Sequence, residues 1–223
     1  MTGRASPTPS ATLPAPRRRT KRGAETRRVL IRAAIDCLHD LGYAGTTIET
    51  VMARSGLSRG SVLNQFPTRL ALMAATSEAA MQEMIKGGRE RLNAIADPAE
   101  RYRSVFEASW EMQNIPAGTA VTELLLAARR DAALAEALQA VAQRIEAEID
   151  QDTENIVCAA GVAPELVGEC IVHNRILILA LRGTTMELMF DKDREIIHRA
   201  LDRIRLMHKV HCDSVLGVSP PRP

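Results

Sequence analysis

Aromatic residues are scarce in this chain, with one tryptophan, two tyrosines and three phenylalanines among 223 residues. Sheets draw on aromatic and β-branched side chains, so the shortage argues against a strand-rich architecture. Long apolar runs are also missing. The strongest, Ile176 to Leu181, falls far short of the ~20 residues that cross a bilayer. Residues 1–22 hold an arginine cluster with no following apolar segment of signal-peptide length, so the expectation is a cytoplasmic protein with no membrane partner. The same Arg/Ser/Thr-rich, acid-poor start also fits an organelle transit peptide.

Chemistry-bearing motifs are equally sparse. The chain lacks a Gly-rich phosphate loop, a Gly-x-Ser-x-Gly elbow, a zinc-protease motif and paired cysteines, so an enzyme is not expected. Cys37, Cys158, Cys170 and Cys212 are far apart and mostly on apolar helical faces, which reads as reduced core thiols. His208, His211 and Cys212 follow the i, i+3, i+4 spacing at which three ligands can converge on a metal. A structural or surface histidine pair is the preferred reading, with no metal and no cofactor.

What is present favours helices. Ala, Leu, Ile, Arg and Glu dominate, and 46% apolar content suffices for a core. The expected fold class is all-α. Net charge is +2, yet residues 1–69 carry 12 Lys/Arg against 4 Asp/Glu, and residues 70–223 carry 17 against 23. A cationic front on an acidic body suggests that the front meets a polyanion.

Residues 1–22 mix Pro, Ser, Thr and Ala without periodicity and read as a disordered arm ending in Arg17, Arg18, Arg19, Lys21 and Arg22, which can reach phosphates or a minor groove. From Glu25 to Leu41 the apolar residues follow helical spacing, and Gly42 stops the helix. Thr46-Thr47-Ile48-Glu49 has the form of a capping box in which the threonine hydroxyl meets the backbone and Glu49 reaches back. The short helix that follows ends at Gly56. Ser58 caps a third helix with Val62 and Phe66 on its inner face, Pro67 ends it, and Thr68 caps a fourth. Two short helices joined by a Gly-containing turn form a helix-turn-helix, whose second helix can enter a major groove.

The stretch Leu38-His-Asp-Leu-Gly-Tyr43, then Thr46-Thr-Ile, then Gly56-Leu-Ser-Arg-Gly-Ser-Val-Leu-Asn-Gln-Phe-Pro-Thr-Arg69 resembles the TetR family of transcriptional regulators. The resemblance implies an N-terminal three-helix DNA-binding domain (23–69), a helical ligand-binding and dimerisation domain (70–213) and a short tail (214–223). It also implies roles at matching positions. Ser58, Arg59, Gly60 and Ser61 would meet phosphates and base edges, with Gly60 letting backbone approach the duplex. Arg59 would pair with phosphate or guanine, and Asn64 and Gln65 with adenine or phosphate. Thr47 and Arg69 would anchor the duplex backbone; capping and solvated charge are their structural alternatives. Leu63 stands where a tyrosine is usual, Asn64 and Gln65 replace the customary aromatic or histidine pair, and Met52 replaces a small alanine.

Beyond Thr68, Asp97-Pro98-Ala99-Glu100 starts a helix expected to run to about Met112, and Asn114, Pro116 and Gly118 separate it from the next. Helices are expected over Thr119 to Arg130 and Asp131 to about Ile156, with a boundary at Gly161 and Pro164. In the following helix Val167, Cys170, Ile171, Leu177, Ile178 and Leu181 share one face while Val172, Ile176 and Leu179 share another, so both sides need covering. The last helix spans Asp193 to about Cys212. The resemblance implies that these last two helices form a homodimer on a palindromic operator, and that the protein is a repressor released by a small, apolar or amphipathic effector. Phe106, Trp110, Met81, Met84, Met186 and Met189 are the candidate effector-binding residues, with ordinary core packing as the alternative. A TetR-like module acting through protein partners, or an uncharacterised enzyme, are the competing readings.

Overall fold

The computed structural model describes residues 21–218, and every regular element among them is helical. Ten α-helices follow one another: α1 (Lys21–Gly45), α2 (Ile48–Ser55), α3 (Arg59–Gln65), α4 (Arg69–Asn93), α5 (Pro98–Arg103), α6 (Val105–Gln113), α7 (Pro116–Ala128), α8 (Ala132–Ala159), α9 (Val167–Phe190) and α10 (Glu195–Val215). A single 3₁₀ turn, Pro164–Leu166, leads into α9. Lys21 and Arg22, expected at the end of a disordered arm, form the first turn of α1; Arg17, Arg18 and Arg19 lie outside the described residues.

Local chemistry explains most boundaries. Gly42 takes φ 67 and ψ 179, which interrupts α1 and turns the chain toward α2. Gly56 closes α2 in the left-handed conformation, with its N–H on the Met52 carbonyl. The hydroxyls of Ser58 and Thr68 and the carboxylates of Asp97 and Asp131 accept first-turn N–H groups of α3, α4, α5 and α8.

Two boundaries in the helical body also differ from the sequence reading. The helix expected over residues 97–112 is broken at Ser104 (φ −80, ψ −2) into α5 and α6. The helix expected from Thr119 begins at Pro116, because a proline at the first helical position forgoes only an N–H that has no intrahelical partner. Gly118 therefore lies inside α7. A Cβ there would sit 2.4 Å from the Gln113 carbonyl oxygen, so the absent side chain permits a close backbone approach.

The core has two parts. Leu30, Leu38, Val51, Val62 and Phe66 of α1 to α3 are continuous with Leu72 of α4, Val121 and Leu124 of α7 and Leu134 of α8. No gap in the core follows residue 69. A second cluster joins Tyr102, Phe106, Val157, Cys170, Leu181 and Leu201 from α5, α6, α8, α9 and α10. Cys37, Cys170 and Cys212 are buried, Cys158 is exposed, and all four are free thiols. Among the described residues no helix is long and apolar enough to cross a membrane.

Candidate nucleic-acid interface and interior cavity

The cap that starts α2 sits one residue later than its sequence suggests. Thr47 is the N-cap: its hydroxyl accepts the Thr50 N–H at 3.1 Å, and the Thr50 hydroxyl accepts the Thr47 N–H at 2.8 Å. Thr46 is fully buried and donates its hydroxyl to the Gly42 carbonyl at 2.8 Å. Glu49 takes no part in the reciprocal pair. Its exposed carboxylate accepts from Arg59 Nη1 at 2.7 Å, tying α2 to the first turn of α3. Its own backbone N–H and Arg59 hold its carboxyl below the usual range.

On α3, Val62 and Phe66 are buried, while Ser58, Arg59, Gly60, Leu63 and Asn64 are exposed and Ser61 and Gln65 half-buried. The Ser58 hydroxyl accepts the Ser61 N–H at 3.3 Å and lies 3.0 Å from the Ser61 hydroxyl. No neighbouring heavy atom lies within 4 Å of where a Gly60 Cβ would stand, so that backbone is open to approach. The result is a short outward face, polar apart from Leu63, on a helix anchored by Val62 and Phe66, the geometry a groove-reading helix needs.

Two proposed duplex anchors are engaged inside the protein. The Thr47 hydroxyl serves the cap. Arg69 donates from Nε to the Thr46 carbonyl at 2.8 Å and from Nη2 to the Tyr43 carbonyl at 2.5 Å, with its guanidinium 4.0 Å from the centre of the Tyr43 ring. Arg69 is thus not a freely solvated charge; it clamps the turn between α1 and α2. From the other side, Glu123 of α7 accepts the Tyr43 N–H at 2.9 Å. Neither Glu49–Arg59 nor Tyr43–Glu123 carries a sequence signal, because partners 10 and 80 residues apart share no helical period.

A cavity of about 410 Å³ opens between α4, α5, α6, α7, α8 and α9. Its size suits a small organic ligand. Met81, Met84 and Ile85 of α4, Val121 and Leu125 of α7, and Ile145 and Ile149 of α8 give it a largely apolar wall. Of the six residues expected to line it, only Met81 and Met84 do. Tyr102 of α5 and Val105, Ala108 and Met112 of α6 face the cavity instead. Phe106 packs into the second core with Arg205 4.8 Å over its ring, and Trp110 packs against the same cluster. Met186 and Met189 are exposed on the last turns of α9.

Polar groups line part of the cavity. Arg89 pairs with Glu148 and Asp152, each at 2.7 Å, and Arg175 with Asp150 at 2.6 Å and Glu146 at 3.7 Å. Arg101 donates to the Ile95 carbonyl at 2.7 Å. Burial and the neighbouring Arg175 push the Arg182 guanidinium below its ordinary value, with Glu146 opposing them.

Outside the cavity, His208 and His211 of α10 meet His173 of α9. His173 Nε2 lies 3.1 Å from His208 Nδ1, and the His173 and His211 rings stack with centroids 3.7 Å apart. His211 Nε2 is 3.0 Å from the Tyr102 hydroxyl, and Cys212 Sγ is 3.5 Å from His208 Nε2. Among the described residues no three His, Cys, Asp or Glu side chains are grouped to hold a metal ion.

Residues 30–76 match the family model described as bacterial regulatory proteins, tetR family. The chain is 27% identical over 186 residues to the HTH-type transcriptional regulator CymR of Pseudomonas putida, covering 82% of this chain and 90% of that protein. It is 31% identical over 136 residues to an HTH-type transcriptional regulator of Mycobacterium bovis, covering 60% of this chain and 68% of that one. A TetR transcriptional regulator from Chloroflexus aurantiacus superposes with a TM-score of 0.67 at 17% identity, over 84% of this chain and 96% of that one, a likeness of fold. The matched segment holds the helix-turn-helix, and the relatives extend across the helical body. The chain belongs to the tetR family of bacterial regulatory proteins and is a DNA-binding transcriptional regulator of the helix-turn-helix type.

Proposed function

We propose that the protein is a homodimeric repressor that reads a palindromic operator through α3 and leaves it when a small molecule fills the interior cavity. The observation that carries this reading is the outward face of α3, where Arg59, Gly60 and Asn64 are exposed while Val62 and Phe66 are buried in the core. Arg59 and Asn64 are the base- and phosphate-contacting residues, assisted by Ser58, Ser61 and Gln65. Arg69 and Thr47 act by holding the turn and the start of α2, which sets where α3 is presented.

Dimerisation supplies the second recognition helix. Val172, Ile176 and Leu179 of α9 and Ile196, Met207 and Val210 of α10 are each 52 to 61% exposed in the single chain. An exposed apolar surface on two adjacent helices favours burial against a second copy. A two-fold pair of recognition helices reads half-sites about one duplex turn apart, ~34–36 Å. A ligand that prefers the dimer geometry in which the two α3 helices no longer match that spacing lowers operator affinity by population shift.

The test selects random duplex DNA against the full-length protein, the Arg59→Ala variant and the Asn64→Ala variant at one salt concentration. A palindrome recovered by the parent and lost by the variants is the expected result. No preferred sequence, with the variants retaining DNA like the parent, would overturn the assignment and favour a module that acts through protein partners.

A further inference from the structure

On α9, Asn174, Ile178 and Arg182 line the cavity at intervals of four residues, a stripe about 12 Å long with an apolar middle and polar ends. The two ends differ in kind. Asn174 is 8% exposed; its amide N–H donates to Thr153 Oγ1 at 2.8 Å, while its Oδ1 is buried without a hydrogen-bond partner. Arg182 is a cation with no ion pair and no hydrogen bond among the described residues.

The lining is unbalanced in charge. Four arginines, Arg89, Arg101, Arg175 and Arg182, face the cavity against two acids, Glu146 and Asp152. Arg89 and Arg175 hold paired carboxylates, and Arg101 rests on a neutral carbonyl. Glu146, the acid that acts on Arg182, is engaged by Arg175. A guanidinium keeps its proton at neutral pH even when burial disfavours the charge, and its planar fork of donors matches a carboxylate. A charge in a largely apolar wall whose neighbouring acid is shared with another arginine favours a counter-ion from outside.

We propose that the effector is an amphipathic monocarboxylate, its acid group on Arg182 and its apolar body against the α4, α7 and α8 wall. This rests on reading the cavity as the effector site. Arg182 is the one lining guanidinium with neither an ion pair nor a hydrogen bond among the described residues, and one such fork in a mostly apolar cavity suits a monoanion and disfavours a phosphate dianion, which needs several converging donors.

The experiment titrates the full-length protein calorimetrically with octanoate and 4-tert-butylbenzoate, and with octanamide and 4-tert-butylbenzamide as neutral counterparts. The acids are expected to bind the parent at least about tenfold more tightly than the amides. Arg182→Met should weaken the acids roughly ten- to a hundredfold and leave the amides unchanged, with Arg182→Lys restoring part of the loss. Thermal unfolding by circular dichroism checks that both variants keep the helical fold. Equal binding of acids and amides by the parent, unchanged acid binding by Arg182→Met, or no acid bound by the parent overturns the proposal. Operator retention, followed by fluorescence anisotropy, separates the two readings. Acids that bind through Arg182 without releasing DNA support the Arg182 assignment and overturn the effector reading; amides that release DNA regardless of Arg182 do the reverse.

Discussion

Glu123 of α7 accepts the backbone N–H of Tyr43 at 2.9 Å, joining the turn before the helix-turn-helix to a helix that walls the cavity. Val121 and Leu125, one turn apart, face the cavity, while Glu123 between them faces Tyr43. The Tyr43 hydroxyl also reaches Asp131, the cap of α8, at 3.4 Å, and its carbonyl is held by Arg69. A displacement of α7 or α8 by a ligand therefore bears on the turn that orients α2 and α3.

Glu123→Ala leaves the partly buried Tyr43 N–H without its acceptor. The expected cost is about 1–3 kcal/mol, with a smaller loss for Glu123→Gln, which keeps an acceptor oxygen. Urea denaturation measures both, and parent-like stability of Glu123→Ala would show that the bond contributes nothing net.

Gly42→Ala meets two obstacles. The backbone at φ 67 and ψ 179 lies in a region open essentially to glycine alone, and a Cβ would stand 3.1 Å from Glu123 Oε2. The strain costs about 1–3 kcal/mol. In a Glu123→Ala background the steric part disappears, so the two losses should be less than additive. Strict additivity in a double-mutant cycle would rule out the contact.

Glu49 and Arg59 form an exposed pair whose loss should leave thermal stability nearly unchanged. Their effect belongs to DNA binding. Glu49→Gln removes a negative charge beside the duplex and releases Arg59, so operator binding at low salt should tighten. Arg59→Ala should weaken binding and reduce the slope of log K against log salt by about one. Anisotropy titrations over a salt series read both effects; weaker binding by Glu49→Gln would mean that the pair positions Arg59 productively.

The three histidines between α9 and α10 predict an acid-sensitive fold. Burial, aided by His211 and His208, pushes His173 from 6.5 down to about 4, and burial also lowers His208 and His211. The unfolded chain takes up protons first, so their contribution is complete above about pH 6.5 and is lost as pH falls toward 4. For His173 alone the loss is at most about 3 kcal/mol. Urea midpoints at pH 7.5, 6 and 5 should fall more steeply for the parent than for His173→Asn; parallel profiles would remove His173 from the account.

Helix ends governed by neighbours in sequence were readable from sequence. Gly56, Ser58, Thr68 and Asp97-Pro98 act within one helical turn of themselves, and each marks a boundary where its chemistry places it. The Thr46-Thr47 pair shows the limit of that reasoning. Either hydroxyl fits a cap by spacing, and burial of Thr46 against Gly42 decides between them. Ser104 likewise carries no strong breaking signal, and only the packing shows that Tyr102 lines the cavity while Phe106 does not.

By itself the amino-acid sequence determined the helical class, the helix-turn-helix, the face that α3 presents and the family, because periodicity, caps and a short motif are encoded among near neighbours. Only the tertiary structure decided that Arg69 holds Tyr43 and Thr46, that Glu123 reaches the same turn, and that Arg182 faces the cavity with no ion pair among the described residues. Those relations join helices far apart in the chain, where packing geometry alone selects which side chains meet.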